Sequence, residues 1–335
     1  MKNSKPTIHD ISKALNINSS TVSRALNNSP RVSKKTKDLI LKKAKELGYQ
    51  KNTLASNLRT NKTNTIGIIV PRISRNFFSS VISGIEERAY IAGYNVVIGQ
   101  SFESFEREQK LVSTFLSNRV DGLLISISME TTDYDHLENF KNNGGPIVFY
   151  DRPVPLKNFA SITINDFEAS FVATQHLISK GCKNIVHFSG IQKIALYKNR
   201  KEGYIAALKK HNIPVNEDYI FEAKLSENDG VEFAKKILKL GNIDGIYASN
   251  DTSAIGAMQY LKANGIRIPE DISVVGFNND PISAVIEPNL TTINQPDFEM
   301  GTIACSQLID LIEKKDVNGQ HQSKVLPTEL IVRNS

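Results

Sequence analysis

Near the start of the chain, Arg24 sits in the run Thr21-Val22-Ser23-Arg24-Ala25-Leu26-Asn27. A guanidinium can donate two bonds to guanine O6 and N7 in a DNA major groove, while Ser19 and Ser20 can make short polar contacts beside it. Thr21, Ser23, Asn27 and Arg31 carry the groups that fix a protein on phosphates. Such side chains read DNA only when a rigid element presents them, and the flanking residues supply one. Thr7 with Asp10 forms an N-cap with an acidic N3, and Ile8, Ile11, Ala14 and Leu15 recur at helical spacing, predicting a first helix over about 8 to 15. Asn16-Ile17-Asn18 breaks it. A second helix over about 19 to 26 buries Val22, Ala25 and Leu26 and turns Ser19, Ser20, Ser23 and Arg24 outward. Ser33 caps a third, whose Leu39, Ile40, Ala44 and Leu47 close a three-helix core before Gly48 stops it. The pattern is a helix-turn-helix.

Charge supports that reading. Residues 1 to 62 hold 14 Lys and Arg against three acids, a net +11, whereas the remaining 27 Lys and Arg and 32 acids sum to −5. A positive field confined to one end suits phosphate neutralisation. The 335 residues leave room for a much larger body behind the head. No apolar stretch follows Lys2 and Lys5, and runs such as Ile66 to Val70 are too short to span a bilayer, so a soluble cytoplasmic protein is expected. Cys182 and Cys305 are isolated and the six His lack metal-ligand spacing, which indicates neither disulfide framework nor metal site.

From Thr65 onward, apolar strands alternate with amphipathic helices. Strands are predicted near 66 to 70, 95 to 99, 121 to 126 and 147 to 150, then in a second series near 161 to 165, 184 to 189, 244 to 248 and 272 to 277. The fold class is α/β, two doubly wound Rossmann-like lobes behind an all-α head. In open α/β sheets ligands bind beyond the carboxyl ends of the strands. The polar groups there are Arg72 to Phe78 with Arg75, Asp151-Arg152, Asn165-Asp166, Asn250-Asp251-Thr252, Asn278-Asn279-Asp280 and Gln295, with Arg200 on a helix. They predict a polar cluster between the lobes. Asp166 and Asp251 have an alternative role as helix caps.

These residues carry a resemblance. Thr7-Ile8-x-Asp10-Ile11, Thr21 to Asn27, Val32-Ser33-x-x-Thr36, Leu47-Gly48-Tyr49 and Asn52-x-x-Ala55-x-x-Leu58 resemble the head of the LacI/GalR family of bacterial repressors. Ile66-Gly67-Ile68-Ile69-Val70-Pro71, Asn199-Arg200-x-x-Gly203-Tyr204, Val274-Val275-Gly276-Phe277 and Leu290-Thr291-Thr292-Ile293-x-Gln295-Pro296 are similar to its periplasmic-binding-protein-like core. The resemblance implies a head over 1 to 50, a hinge helix and linker over 51 to 64, and a core over 65 to 335. Within the core it implies an N-lobe of about 65 to 161 plus 292 to 324 and a C-lobe of about 162 to 291 plus 325 to 335. It also implies that the hinge folds when two subunits meet on an operator, with Leu58 as an apolar wedge at a minor-groove step and Asn52, Ala55 and Arg59 beside it. Ser56 departs from the arginine the family often has there. In the core, Asp151, Arg200, Asn250 and Asp251 would bond a small polar effector, with Phe77 or Phe78 as an apolar wall. The family's Asn-Pro before the Phe pair is replaced by Arg75-Asn76, and its acid after the Gly-Phe turn by Asn278-Asn279. An added cation and a missing carboxylate point to an effector with negative charge, a sugar acid or sugar phosphate.

The expected protein is therefore a homodimeric transcription repressor that binds pseudo-palindromic operator DNA under control of a sugar or sugar derivative. It has no cofactor and no membrane partner. Two rivals are a transport protein of the same core fold, and an α/β enzyme. The basic head argues against the first. No glycine-rich phosphate loop, GxSxG elbow or metal cluster supports the second.

Overall fold

The structure is a computed structural model that describes residues 6–49, 62–152, 154–156, 159–314 and 323–335. The chain divides into a unit over Met1–Thr63 and a unit over Asn64–Ser335. The hinge residues Asn52, Ala55, Leu58 and Arg59 lie outside the described residues.

In the first unit α1 is Ile8–Leu15, α2 Ser19–Leu26 and α3 Lys34–Glu46. Local chemistry sets each boundary. The Thr7 N–H and hydroxyl both donate to Asp10 Oδ2, at 2.8 and 2.7 Å, and Ser33 Oγ accepts from the Thr36 N–H at 3.2 Å, which satisfies donors a bare helix start leaves open. Gly48 follows α3 with φ +67°, a left-handed conformation that ends the helix. Ile11, Val22, Ala25, Val32, Ile40 and Ala44 form the core, with Tyr49 packed against it. Two expectations fail here. Leu39 and Leu47 are exposed, at 49 % and 37 %, because Ile40 and Ala44 one turn apart already fill the inward stripe and Val32 and Tyr49 close its ends. Leu26 is half-buried and packs against the core as expected, while Ala14 on the spacing that predicted α1 is exposed.

The second unit contains two six-stranded sheets. The first has strand order β11-β5-β4-β3-β1-β2, formed by β1 (Thr65–Val70), β2 (Asn95–Gln100), β3 (Gly122–Ile125), β4 (Ile147–Tyr150), β5 (Ala160–Ile164) and β11 (Lys324–Leu326), all parallel. The second has order β12-β10-β9-β8-β6-β7, with β6 (Ile185–Ser189), β7 (Ile220–Glu222), β8 (Gly245–Ala248), β9 (Ser273–Asn278), β10 (Thr291–Asn294) and the antiparallel β12 (Glu329–Ile331). Helices cover both faces of each sheet, so the central strands are apolar on both sides. On β1, Ile66, Ile68 and Val70 face α4 (Asn76–Ile91) and α11 (Asp297–Ile312), while Ile69 faces α5 (Phe105–Ser117) and α6 (Asp135–Asn143). The second sheet lies between α7 (Asp166–Ser179) with α8 (Ala195–Lys210) and α9 (Glu227–Leu240) with α10 (Asp251–Ala263).

The lobe boundaries differ from those expected. β5, assigned above to the second series, belongs to the first sheet, where Ala160 pairs with Val148 and Ile162 with Lys324. β10 belongs to the second sheet beside β9 rather than opening the return to the N-lobe. The chain crosses between lobes after β5, after β10 and between β11 and β12. Order along the chain suggested one series per lobe, whereas pairing between distant segments decides membership. Among the described residues no helix is long and apolar enough to cross a membrane.

Candidate functional site

Two sites emerge, one in each unit. On the head, α2 buries Val22 and Ala25 and leaves Ser20, Arg24 and Asn27 exposed. The Arg24 side chain has no ion-pair or hydrogen-bond partner among the described residues, and neither has that of the exposed Arg31. The polar side chains beside it are partly engaged: Ser19 Oγ lies 3.2 Å from His9 Nδ1, Ser20 Oγ donates to Asn18 Oδ1 at 3.1 Å, and Asn27 Nδ2 donates to the Ser23 carbonyl at 2.9 Å. The face therefore offers a guanidinium without a partner among the described residues on a helix capped by Asn18, an arrangement suited to a base edge or a phosphate. Thr21 and Ser23 are half-buried on its flanks.

In the body, the carboxyl ends of both sheets meet at a cleft. Arg75, Phe77, Phe78 and Asp151 line it from the N-lobe, and Arg200, Asn250, Asn278 and Gln295 from the C-lobe. Glu103, Met129, Leu196, Tyr197, Lys224 and Ser249 also line it and were not anticipated. Glu103, Lys224 and Ser249 obey the same rule of position after a strand, but β7, which carries Lys224 at its exit, is too short to show a period. The Phe77 and Phe78 rings meet edge to face, 5.2 Å between centroids, and form the apolar wall.

Left-handed backbone occurs at and beside the cleft, as it does at several turns elsewhere in the chain. Asp151, Leu225, Asn278 and Asn279 have φ of 66°, 58°, 114° and 56°, values an L-residue holds only when its surroundings over-determine them. The turn at Asn278 and Asn279 carries Asp280 into the cleft wall, so the carboxylate missing at Asn278 returns two residues later.

Arg200 is buried and two of its five N–H donors are engaged by the protein itself. Nε donates to Asp166 Oδ1 and Nη1 to the Ser249 carbonyl, both at 2.7 Å, and the guanidinium carbon lies 3.6 Å from the Phe277 ring centroid. Arg152 is held the same way on the N-lobe, bonding both oxygens of Glu103 at 2.8 and 2.9 Å and the Ile127 carbonyl at 2.5 Å. Asp166 stands behind Arg200 rather than in the cleft lining. Burial pushes its carboxyl up to about 6 against the pull of Arg200. Asp251 is likewise outside the lining: its carboxylate accepts from the Thr292 hydroxyl at 2.6 Å and the Asp280 N–H at 2.8 Å. Gly276 makes room for it, since a Cβ there would stand 2.1 Å from Asp251 Oδ1. Neither acid caps its helix. Asn165 and Asn250 do so, accepting from Glu168 N and Ser253 N at 3.1 and 2.9 Å. Among the described residues no group of three or more His, Cys, Asp or Glu could hold a metal ion.

Burial pushes the Asp251 carboxyl up to about 8, despite the Thr292 hydroxyl bond that favours the anion. In the unfolded chain an aspartate loses its proton near 3.9. The native state therefore keeps a proton that the unfolded state has released, and stability falls as pH rises through that interval. Asp251→Asn mimics the protonated form. Between pH 6 and 8 the wild-type protein is expected to lose stability relative to this variant by at most about 1.4 kcal/mol per pH unit. Melting curves of both proteins at matched pH check it, and parallel curves would refute the buried proton.

Comparison with known proteins places both units. Residues 7–52 match bacterial regulatory proteins of the lacI family, and residues 174–335 match the periplasmic binding protein-like domain. The chain is 35 % identical over 331 residues to the NTD biosynthesis operon regulator NtdR of Bacillus subtilis (strain 168), covering 98 % of this chain and 99 % of that protein. Its structure is similar to the lac repressor dimer bound to operator and the anti-inducer ONPF, with a TM-score of 0.87, 25 % identity and 99 % coverage of both chains. A LacI family transcriptional regulator from Enterococcus faecium with bound ribose matches with a TM-score of 0.72 and 29 % identity, covering 81 % of this chain and 98 % of the other.

Proposed function

This chain belongs to the lacI family of bacterial regulatory proteins, and from that premise we propose that it is a cytoplasmic repressor that binds an inverted-repeat operator as a homodimer, controlled by a polar effector in the inter-lobe cleft. The observation that carries the reading is Arg24, exposed on the outward face of α2 and unpaired among the described residues, in a segment of net charge +11. One head reads few base pairs, and a two-fold pair reads a palindrome. Exposed apolar residues in the body support pairing: Tyr90 and Ile91 on α4 are 76 % and 71 % exposed, and Val97 and Ile98 on the edge strand β2 are 45 % and 41 % exposed. Ile282 and Val285 form a second such patch.

The effector is a sugar or sugar derivative, a ligand class consistent with the ribose-bound relative and with a cleft of hydrogen-bonding side chains against an aromatic wall. Binding between the lobes favours one degree of closure and shifts operator affinity to the extent that the ligand binds the two closures differently. Residues 52 to 59 transmit that change as the hinge.

Selection from a randomised duplex pool tests the reading. The full chain is expected to enrich an inverted repeat, and a chain lacking residues 1–58 to enrich nothing. Selective binding by the truncated chain would contradict the role of the head.

A further inference from the structure

The cleft is unevenly neutralised. Of its five cations, Arg152 and Arg200 hold carboxylates, Glu103 and Asp166, at 2.8 and 2.7 Å. Arg72, Arg75 and Lys224 are in no ion pair among the described residues. On the acidic side, Asp151 lies 3.7 Å from Arg152, which leaves Asp280 as the cleft acid in no ion pair. Among the described residues, three cations without a salt bridge thus face one such acid, Asp280, on which Arg75 acts at longer range.

The cleft also holds polar atoms in need of partners. Asp280 Oδ1, Gln295 Oε1 and Ser249 Oγ are buried with no hydrogen-bond partner among the described residues. All three belong to residues that line the cleft, and all can accept from a hydroxyl.

Arg75 connects these two features. It precedes α4 in the N-lobe, yet Nη1 donates to Thr252 Oγ1 at 2.8 Å and Nη2 to the Leu225 carbonyl at 3.4 Å, both in the C-lobe. The Leu225 carbonyl is turned there by a left-handed backbone and is shared with Asn250 Nδ2 at 2.9 Å. A guanidinium spanning the cleft is thus bonded only to neutral oxygens, one of them at long range. A carboxylate or phosphate is a better acceptor for the same fork.

Resting on the reading of the cleft as an effector site, we propose that the effector is a hydroxylated acid, a sugar carboxylate or a sugar phosphate, whose anionic group is taken by Arg75 and whose hydroxyls pair with Asp280, Gln295 and Ser249. Arg75 then leaves Thr252 and Leu225 for the ligand, and the cross-lobe contact passes through the effector.

The test is thermal stabilisation and calorimetric titration of the full chain with five- and six-carbon aldoses, each beside its aldonate, uronate and phosphate, with inorganic phosphate as the control for charge alone. At least one acid is expected to bind about tenfold or more tightly than its neutral parent, and inorganic phosphate not to reproduce it. Arg75→Ala should weaken the acid about 10- to 100-fold, and by at least about tenfold more than it weakens the neutral parent. Arg75→Lys, which keeps the charge without the fork, should fall between and covers the case in which alanine impairs folding. Whether the carboxylate or the phosphate series responds identifies the source of the anion. Neutral sugars that bind as well as the acids, in a manner abolished by Arg200→Ala, would overturn this inference and leave the cleft as the effector site. Acid binding indifferent to Arg75→Ala would overturn it as well, and no binding by any sugar would overturn both.

Discussion

Arg200→Ala should cost the body about 3–5 kcal/mol of stability and abolish every effect of the effector, because it removes one member of a buried ion pair. Asp166 is only 3 % exposed, and with Arg200 gone its carboxylate would face the core without a countercharge. The Ser249 carbonyl would lose its donor at the same time. Urea denaturation measures the loss, and the double variant Arg200→Ala/Asp166→Asn separates its parts. Removing the stranded charge should restore a substantial share of the stability while leaving the effector response absent. If the double variant is no more stable than the single one, the loss comes from packing against Phe277 and not from the buried charge. Normal effector binding by either variant would remove Arg200 from the binding machinery.

Arg24→Ala should weaken the selected operator by about 1–3 kcal/mol, roughly 10- to 100-fold, and relax the preference at one position of each half-site. Stability should change little, since the side chain is exposed and has no hydrogen bond or ion pair among the described residues. Binding to unrelated duplex DNA, which depends on the total charge of the head, should fall far less. A lysine of α3 makes the comparison. Lys42→Ala should weaken all sequences alike and reduce the salt dependence by about one ion. An Arg24→Ala variant that lost affinity equally on operator and unrelated DNA would identify this arginine as a phosphate contact.

The head was legible almost residue by residue because its boundaries are set locally. Thr7 with Asp10, Asn16 to Asn18 and Ser33 fix where the helices start and stop, and α1, α2 and α3 lie where those signals place them. What failed was the assignment of Leu39 and Leu47 to the core from their hydrophobicity, since angular position around α3 decides which leucine faces inward. In the body the rule that sites follow strand ends found Arg75, Asp151, Asn250, Asn278 and Gln295 at the cleft. It could not tell which of two adjacent polar residues faces the ligand space. Asn165 and Asn250 cap their helices, so Asp166 and Asp251 one position on turn into the lobe interior. Nor could it foresee that Asp280 would restore the carboxylate missing at Asn278, because that depends on two consecutive left-handed residues in the turn. The interlacing of the lobes came from the family resemblance alone, and the local pattern of apolar residues did not show it. β7, β11 and β12 have three residues each, too few to show a period, and their membership is set by pairing with strands distant in sequence.

The measurement that tests the account most directly is equilibrium binding of the full chain to its selected inverted repeat by fluorescence anisotropy, at one fixed salt concentration, with and without a saturating cleft ligand. The account predicts that the ligand changes operator affinity by about fivefold or more, and that Arg200→Ala abolishes the change while preserving affinity in the absence of ligand. An operator affinity unaltered by a ligand that demonstrably occupies the cleft would contradict it.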